Sequence, residues 1–430
     1  MALSSPGSGT TSAATTDATD ATTDTSADAS SPSGRPGRGL LPLLLVGNTA
    51  MYALYIGVAS VLLALQVEDV DPANKVSNFG LIAGVSAVFA TVFNPVAGAL
   101  SDRSGRRNPW ILGGGLAAVP AMFLLGLAHT ILLITIVWCL GQAVMNVYQA
   151  AITSVVPDRV PVSARGKASA AVGLGLPFGS TIGALVGAAF SEDYRTGYLV
   201  FGALVAGAAV LFTACTREER LPSRAPMPVK EQLAAFVGAL KDHDFRWAFI
   251  GRALLVLGYF AVTGYQLYIL QDHTVLPDGM EPESAVAVLM PLTSVAMVVS
   301  TVLGGYLSDR FDRRKLFVGA SALLSAVALV IPAVSTSWTA MLAFAAVNGL
   351  AFGCYMAVDT ALVTMVLPSA EDAARDMGVL NIANAGPQIV APFVASVVVS
   401  LSGGYTALFI VAAVLAVAGA LAVKPIRSVR

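Results

Sequence analysis

The feature that most constrains this 430-residue chain is a series of twelve apolar stretches, each 18 residues or longer. Stretches of this length match the bilayer's hydrocarbon core and are typical of transmembrane helices. Hydropathy places them at residues 40–65, 78–100, 109–128, 131–156, 168–190, 197–215, 247–271, 285–307, 315–334, 338–367, 378–401 and 405–423. Charged residues make up 12% of the chain, against about 25% in soluble domains. The sequence therefore predicts an all-α protein with twelve transmembrane helices in a lipid bilayer.

A ten-residue stretch occurs twice, and each copy lies between two apolar stretches. GALSDRSGRR spans Gly98–Arg107, and GYLSDRFDRR spans Gly305–Arg314, 207 positions later, with seven of ten positions identical. Such internal similarity indicates two related halves. We expect a disordered tail at 1–39, six-helix halves at 40–215 and 247–423, a linker at 216–246, and a short tail at 424–430.

Both copies resemble the loop between helices 2 and 3 of the major facilitator superfamily of transporters, G-x-L-x-D-R-x-G-R-R/K. In that family the loop recurs between helices 8 and 9. Asp312 stands where the second copy should have the turn glycine. The resemblance implies two pseudo-symmetric six-helix halves, alternating access and a gating role for the loops. That role would fall on Gly98, Asp102, Arg103, Gly105, Arg106, Arg107, Gly305, Asp309, Arg310, Arg313 and Arg314.

The loop residues also have a simpler explanation. Asp and Gly satisfy the free backbone groups of a short turn, and Arg103, Arg106 and Arg107 can anchor it against anionic lipid. We expect Asp102 to matter more for gating than Asp309, because the second turn lacks its glycine.

Two charged residues fall inside apolar stretches: Arg252 in the seventh and Asp359 in the tenth. Each costs about 3 kcal/mol in hydrocarbon, so each should face protein or water. Their distances from the stretch ends agree within about one helical turn, roughly 5 Å. The pair is interpreted either as structural or as a proton-coupling site, in which Asp359 titrates and Arg252 tunes it.

Uncharged polar residues form the third group of candidates. In the family, helices 1, 4, 7 and 10 line the transport cavity, and most of these residues lie on the corresponding stretches. An amide or hydroxyl inside a membrane also commonly joins helices, so both interpretations stay open. The candidate substrate-binding residues are Asn48, Tyr52, Gln142, Asn146, Gln149, Tyr259, Gln266, Asn348, Tyr355, Asn381, Asn384 and Gln388.

The stretches Gly378–Pro392, Ala357–Pro368 and Pro157–Ala170 resemble the glycoside and sucrose cation-symporter branch. This implies a secondary transporter of a sugar or glycoside, driven by protons. The alternative is a drug or metabolite exporter with proton exchange, although Gly173–Gly183 lacks the exporters' G-P-x-x-G-G order. No GxxxxGK[ST] occurs, so ATP is not the expected energy source. We expect no cofactor, no metal, no enzymatic activity and no nucleic-acid partner, and a functional monomer.

The basic residues predict the orientation. With the N-terminus in the cytoplasm, all 25 Lys and Arg residues except Lys75, Arg195 and Arg252 lie in cytoplasmic segments. Such a bias is typical of cytoplasmic loops. The sequence therefore predicts a multi-pass protein of the cell membrane with both termini in the cytoplasm.

Overall fold

The computed structural model describes residues 39–161, 164–218, 238, 240–365 and 373–427. The expected disordered tail, apart from Gly39, and most of the expected linker lie outside the described residues. Within the described part of the chain, nearly every residue belongs to a helix or a short connecting loop.

The first half contains six membrane-crossing units. They are α1 (Leu40–Gly57), which continues through a π-helical segment (Val58–Leu62) into α2 (Leu63–Val70), then α3 (Lys75–Ser104), α4 (Asn108–Gly126), α5 (Ile131–Arg159), α6 (Arg165–Ala189) and α7 (Tyr194–Cys215). The second half has the same plan. Its helices are α8 (His243–Thr263), α9 (Gln266–Asp272), α10 (Pro282–Phe311), α11 (Arg314–Val334), α12 (Trp338–Met365), α13 (Ala373–Ser402) and α14 (Thr406–Ala422).

The predicted twelve-helix membrane fold is confirmed. In the described residues, eleven helical runs are long and apolar enough to cross a membrane, and α14 is a shorter apolar helix. Two stretches differ from a simple helix: the first contains the π-helical segment, and the seventh breaks between Thr263 and Gln266. Gly57 directly precedes the π-helical segment, and Gly264 lies in the break of the seventh stretch. The two glycines are 207 positions apart.

Helix starts follow from side chains that accept hydrogen bonds from free backbone N–H groups. Thr130 accepts from the Leu133 amide at 3.3 Å, Asp193 from the Thr196 amide at 3.2 Å, and Asp242 from the Phe245 amide at 2.9 Å. These three residues fix where α5, α7 and α8 begin. The hydrogen bonds formed by Asp193 with Thr196, on its side chain and then its backbone, lower the pKa of this exposed carboxyl group.

Helix packing repeats between the halves. In the first half α1 packs against α6 and α7, and α4 and α3 pack against α5. The equivalent pairs occur in the second half: α8 packs against α13 and α14, and α11 and α10 pack against α12. The halves meet where α3 packs against α13 and α6 against α10. The sequence repeat therefore corresponds to a repeat in three dimensions.

The contact between α1 and α6 depends on glycine. A Cβ atom at Gly183 would lie 2.7 Å from the Ala53 carbonyl oxygen and 2.8 Å from the Gly57 nitrogen. A Cβ at Gly57 would lie 2.7 Å from the Gly183 carbonyl oxygen. Small residues that let backbones approach are typical of helix contacts in membranes.

The bundle has two chemically different ends. The repeat-loop end carries the two copies of the repeated stretch. We call the opposite end the Lys75 end; it carries the start of α3 and the end of α9. Helices α3 and α10 run from the Lys75 end to the repeat-loop end.

Candidate functional site

The first repeated loop closes around Arg107. Gly105 adopts a left-handed conformation with φ of 62° and ends α3, which turns the chain toward α4. The Arg107 guanidinium then lies 2.5 Å from Asp102 Oδ1 and 2.8 Å from Asp158 Oδ2, and it also donates to the Ser101 hydroxyl. Burial opposes its charge, but the hydrogen bonds to Asp102 and Asp158 outweigh burial and raise the pKa of Arg107. The loop thus ties α3 to the end of α5.

Glu218 extends this network, and sequence reasoning missed it by assigning it to the linker. Its carboxylate accepts from the backbone amides of Arg107 and Asn108, the latter at 3.0 Å, and from the Arg159 guanidinium. Its side chain is 9% exposed. The side-chain amide of Asn108 also donates to the Thr216 carbonyl oxygen at 3.1 Å. The segment after α7 is therefore attached to the first loop.

The remaining loop residues are more exposed. Arg103 and Arg106 are exposed, as lipid-anchoring residues would be. A Cβ at Gly98 would meet nothing within 4 Å among the described atoms. Helix α3 approaches α13 closely at Gly80 and Gly84, near the Lys75 end.

The second loop keeps the turn but not the network. Asp312 takes the left-handed conformation of the missing glycine, with φ of 49°, which is costly for a residue with a side chain. Asp309 lies 2.8 Å from Arg314, yet its side chain is 66% exposed. Arg314 also donates to the Met365 sulfur at 2.7 Å. Met365 is 207 positions after Asp158, so a thioether replaces the acid.

Other second-copy residues attach to nearby segments. Lys315 Nζ donates to the carbonyl oxygens of Lys424 and Ile426, each at 2.6 Å. Arg310 lies 3.3 Å from the Tyr306 hydroxyl, and Gly305 has no described atom within 4 Å of its Cβ position. Arg313 is exposed. Among the described residues, the second loop thus contacts other segments mainly through neutral groups.

The predicted contact between Arg252 and Asp359 is confirmed. Arg252 Nε lies 3.4 Å from Asp359 Oδ2, and the two side chains are 8% and 3% exposed. Neither atom has a hydrogen bond of normal geometry within the described structure, so the contact is ionic and loosely made. Helix α8 packs mainly against α13 and α14, and α12 against α10 and α11. The pair therefore connects two helices whose main packing partners lie elsewhere.

An aromatic contact lies beside this pair. The rings of Tyr259 and Phe352 stack with centroids 3.7 Å apart. Each ring is seven residues from the charged residue of its own helix. Tyr259 follows Arg252 on α8, and Phe352 precedes Asp359 on α12. Seven residues are about two helical turns, so the stack and the ion pair lie on the same faces of α8 and α12. The buried hydroxyl group of Tyr355 lies on α12 between them.

The polar candidates of the first half mostly contact other protein groups. Asn48 is fully buried and donates to the Leu44 carbonyl oxygen of its own helix. Asn146 accepts from Asn94 at 2.9 Å and donates to the Gln142 carbonyl oxygen. Gln149 accepts from the Tyr55 hydroxyl at 3.2 Å. Tyr52, Gln142 and Gln149 remain half-buried.

The polar candidates of the second half divide in the same way. Asn348 accepts from Ser325 on α11 at 2.9 Å, on the side of α12 that packs against α11. Gln266 is buried at the start of α9. Asn384 and Gln388 are half-buried on α13, and the Asn381 side chain lies outside the described part of the chain. Direct binding of substrate by these residues stays a prediction.

The Lys75 end holds contacts between the halves that the sequence did not predict. Lys75 Nζ lies 2.9 Å from Glu68 in its own half, and 2.9 Å from Asp272 and 3.1 Å from Gln271 in the other half. Gln271 donates to Glu68 at 2.8 Å. We call these four residues the Lys75 cluster. Tyr268 adds a hydrogen bond to the Ala64 carbonyl oxygen at 2.8 Å.

A deeper contact joins Ser180 on α6 and Ser294 on α10 at 2.8 Å. Both serines lie nearer to the Lys75 end of their helices than to the other end. The hydrogen bonds described between the halves thus close the Lys75 end of the bundle.

Sequence and structure comparisons agree with this architecture. The family model described as Major Facilitator Superfamily matches residues 43–273 and 279–429. "MFS transporter asaE" of Aspergillus flavus is 24% identical over 358 residues, covering 80% of this chain and 76% of the relative. "Fujikurins efflux protein" of Gibberella fujikuroi is 25% identical over 355 residues, covering 80% and 72%. "Multidrug resistance protein MdtG" of Citrobacter koseri is 26% identical over 271 residues, covering 60% and 63%.

Solved structures share the fold at low identity. The nucleoside transporter NupG superposes with a TM-score of 0.74 at 14% identity, covering 90% of this chain and 99% of that one. A peptide transporter POT in complex with sulfate gives 0.73 at 13% identity, covering 92% and 96%. The matched regions include both repeated loops and both halves. The chain therefore belongs to the Major Facilitator Superfamily.

Proposed function

We propose that this protein is a proton-coupled secondary transporter that moves a small organic solute across the cell membrane by alternating access. The observation that carries the proposal is the buried contact between Arg252 and Asp359. An ionisable pair inside a membrane bundle is costly and marks ion or proton pathways. The loose geometry suits a carboxyl group that binds and releases a proton as helices move.

Alternating access is supported by the asymmetry between the two ends. The Lys75 cluster and the Ser180–Ser294 contact join the halves toward one end. The first loop ties α3 to α5 within one half through Arg107. Rocking of the halves would break the contacts between the halves and leave the Arg107 contacts within the first half intact. This is the behaviour of a rigid half that moves against its partner.

We propose export as the direction of transport and a drug or metabolite as the solute. Two of the relatives are named as an efflux protein and a multidrug resistance protein. The stacked rings of Tyr259 and Phe352 give the region beside the ion pair an apolar, aromatic character. Aromatic rings beside the ion pair would favour a solute with an apolar body.

Proton-driven uptake of a sugar or glycoside is the second candidate. It is favoured by the hydrogen-bonded pair of Tyr55 and Gln149, whose hydroxyl and amide are half-buried between α1 and α5. These groups can exchange their mutual hydrogen bond for bonds to sugar hydroxyls. The resemblance of Gly378–Pro392 to the glycoside symporter branch points the same way.

The orientation proposed with this function places the repeat-loop end and both termini in the cytoplasm. The distribution of Lys and Arg supports it, since the loops at that end are the basic ones. The Lys75 end would then face outside, and the described arrangement would be closed to the outside.

Proteoliposomes with an imposed pH gradient test the function directly. A panel of sugars and hydrophobic organic compounds is followed in both directions, with the parent protein, Asp359→Asn and Asp309→Asn. Asp309 is the matched control because it is an exposed acid of the same half. We expect Asp359→Asn to lose gradient-driven accumulation while keeping exchange at equal concentrations, and Asp309→Asn to keep accumulation. Full accumulation by Asp359→Asn would remove the coupling role.

A further inference from the structure

The two halves make the same hydrogen bond with different side chains at the Lys75 end. In the first half, Gln66 Nε2 donates to the Leu125 carbonyl oxygen at 2.8 Å. In the second half, His273 Nε2 lies 2.8 Å from the Pro332 carbonyl oxygen. Both residues of the second bond are 207 positions after those of the first. Because a carbonyl oxygen only accepts, Nε2 of His273 carries the hydrogen.

The comparison shows what the histidine adds. A glutamine supports the same structural bond, so the bond alone does not require a histidine. An imidazole has a second nitrogen, Nδ1, which can bind a proton and give the ring a positive charge, whereas an amide cannot. The repeat therefore separates the structural contribution of His273 from its capacity to become charged.

A neighbouring tyrosine has also changed its partner. Tyr198 donates to Gln66 Oε1 at 2.7 Å in the first half. Tyr405, 207 positions later, donates instead to Asp272 Oδ2 at 3.1 Å. The Tyr405 ring still packs edge-on against His273, with centroids 6.4 Å apart. In the second half the tyrosine beside His273 is thus connected to Asp272 of the Lys75 cluster.

The groups around His273 are few and lie beside the contact between the halves. A cavity of about 390 Å³ lies between Val76 of the first half and Asp272, His273 and Tyr405 of the second. Its titratable groups are Asp272, His273 and Tyr405, and Phe409 packs against the imidazole ring. Through Asp272 the cavity reaches Lys75, which binds Asp272 Oδ1 at 2.9 Å, and then Glu68.

We propose that His273 makes the closure of the Lys75 end sensitive to protons. Protonation at Nδ1 would place a second positive charge beside Asp272, where it competes with Lys75 for the carboxylate. The ion pair between the halves weakens, and the Lys75 end opens. His273 is thus a positioning residue that acts through Asp272. The inference rests on the alternating access proposed above, and the proposed orientation would make His273 a sensor of external pH.

The test measures opening directly rather than transport. Spin labels are attached to Ala73→Cys and Asp278→Cys, two exposed positions at the Lys75 end in opposite halves. The three native cysteines, Cys139, Cys215 and Cys354, are replaced first. Distances between the labels are then measured by electron resonance in liposomes at about pH 8 and about pH 5, which bracket histidine titration.

In the parent protein we expect the long-distance population to rise several-fold on acidification. His273→Gln, the residue that the first half uses, should fold and remain closed at both pH values. His129→Gln removes another histidine, exposed on a different loop of the same end, and should respond like the parent. A parent without a pH response, or a His273→Gln protein with the full response, overturns the proposal.

A second variant tests the downstream contact even where His273→Gln folds poorly. Lys75→Gln removes the charge that His273 is proposed to displace, so its Lys75 end should be open at both pH values. A Lys75→Gln protein that stays closed at neutral pH and still opens on acidification also overturns the proposal. The label distances need no substrate or proton gradient. A failure of proton-coupled transport with an intact distance response would count against the proposed function alone.

Discussion

Arg107 donates to the carboxylate of Asp158 at 2.8 Å, and its equivalent in the second half, Arg314, meets a sulfur atom instead. The two loops have nearly the same sequence, but the ends of the helices facing them do not. Among the described residues, the first loop therefore receives an acid from the neighbouring helix, besides the acid within the loop itself, and the second loop does not. This difference predicts unequal roles for the two loops.

We expect Asp102→Asn to slow transport about tenfold, because a lost charge-assisted hydrogen bond costs on the order of 1.5–3 kcal/mol. The lost bond should loosen α3 against α5, so that the first half moves less well as a rigid unit, while expression should stay near normal because the Asp102 side chain is 37% exposed. Asp309→Asn should have a smaller effect, since Asp309 is 66% exposed. Initial rates in proteoliposomes measure both. Equal transport by the parent and both variants would leave the loops as anchors only.

Glu218→Gln should weaken the attachment of the segment after α7. Glu218 accepts from the backbone amides of Arg107 and Asn108 and from Arg159 in a nearly buried position. Loss of its charge should lower the free energy of unfolding by about 1–3 kcal/mol. Thermal unfolding in detergent measures this, with the exposed Glu192→Gln as the control. An unchanged unfolding temperature for Glu218→Gln would show that the network contributes little to stability.

The fold was predictable from the sequence because a bilayer constrains helix length and polarity so strongly. Hydropathy identified twelve crossings, and the loop repeat identified two halves. The Arg252–Asp359 contact was predictable too, since two costly charges at one depth in neighbouring cavity helices should pair. Residue spacing gave the depth of each charge, and the resemblance to the family gave the expectation that the two helices lie close together.

Contacts that depend on the arrangement of the halves were not predictable. Lys75 and Asp272 are 197 residues apart, and each stands in an acid-rich loop region that gave no pairing signal. The partner of Asn348 likewise depends on the rotation of α12 about its axis. Asp312 shows a further limit, since the turn forms in the left-handed conformation although its glycine is absent. Local preference was overridden there by the helices on either side.

The contact of α1 with α6 should tolerate no side chain at Gly183. Gly183→Leu should lower the free energy of unfolding by about 1–3 kcal/mol or more, because the new atoms meet backbone that cannot move aside. Gly173→Leu, on the same helix, is the matched control, since no described atom lies within 4 Å of its Cβ position. Thermal unfolding in detergent compares them. Equal loss in both variants would mean that helix propensity and not packing sets the effect.

The orientation can be tested with cysteines placed along the chain. Ser5→Cys and Pro226→Cys should react with an impermeant thiol reagent only from the cytoplasmic side, and Asn74→Cys and Gly279→Cys only from outside. The experiment uses intact cells and inverted vesicles of the cysteine-free protein. Reaction of all four positions from one side would contradict the twelve-crossing topology with a cytoplasmic N-terminus.

The buried pair gives the sharpest stability prediction. Arg252→Ala leaves Asp359 without its charged partner at 3% side-chain exposure. Removing one member of a buried ion pair typically costs about 3–5 kcal/mol, because the remaining charge is uncompensated. Arg252→Ala should therefore lower the unfolding temperature clearly. The double variant Arg252→Ala/Asp359→Asn should recover most of that loss, because no charge remains buried, but it should not recover gradient-driven accumulation. Thermal unfolding and transport are measured on the same four proteins, the parent, each single variant and the double variant. If the two single losses in stability simply add in the double variant, the two side chains do not act as a pair.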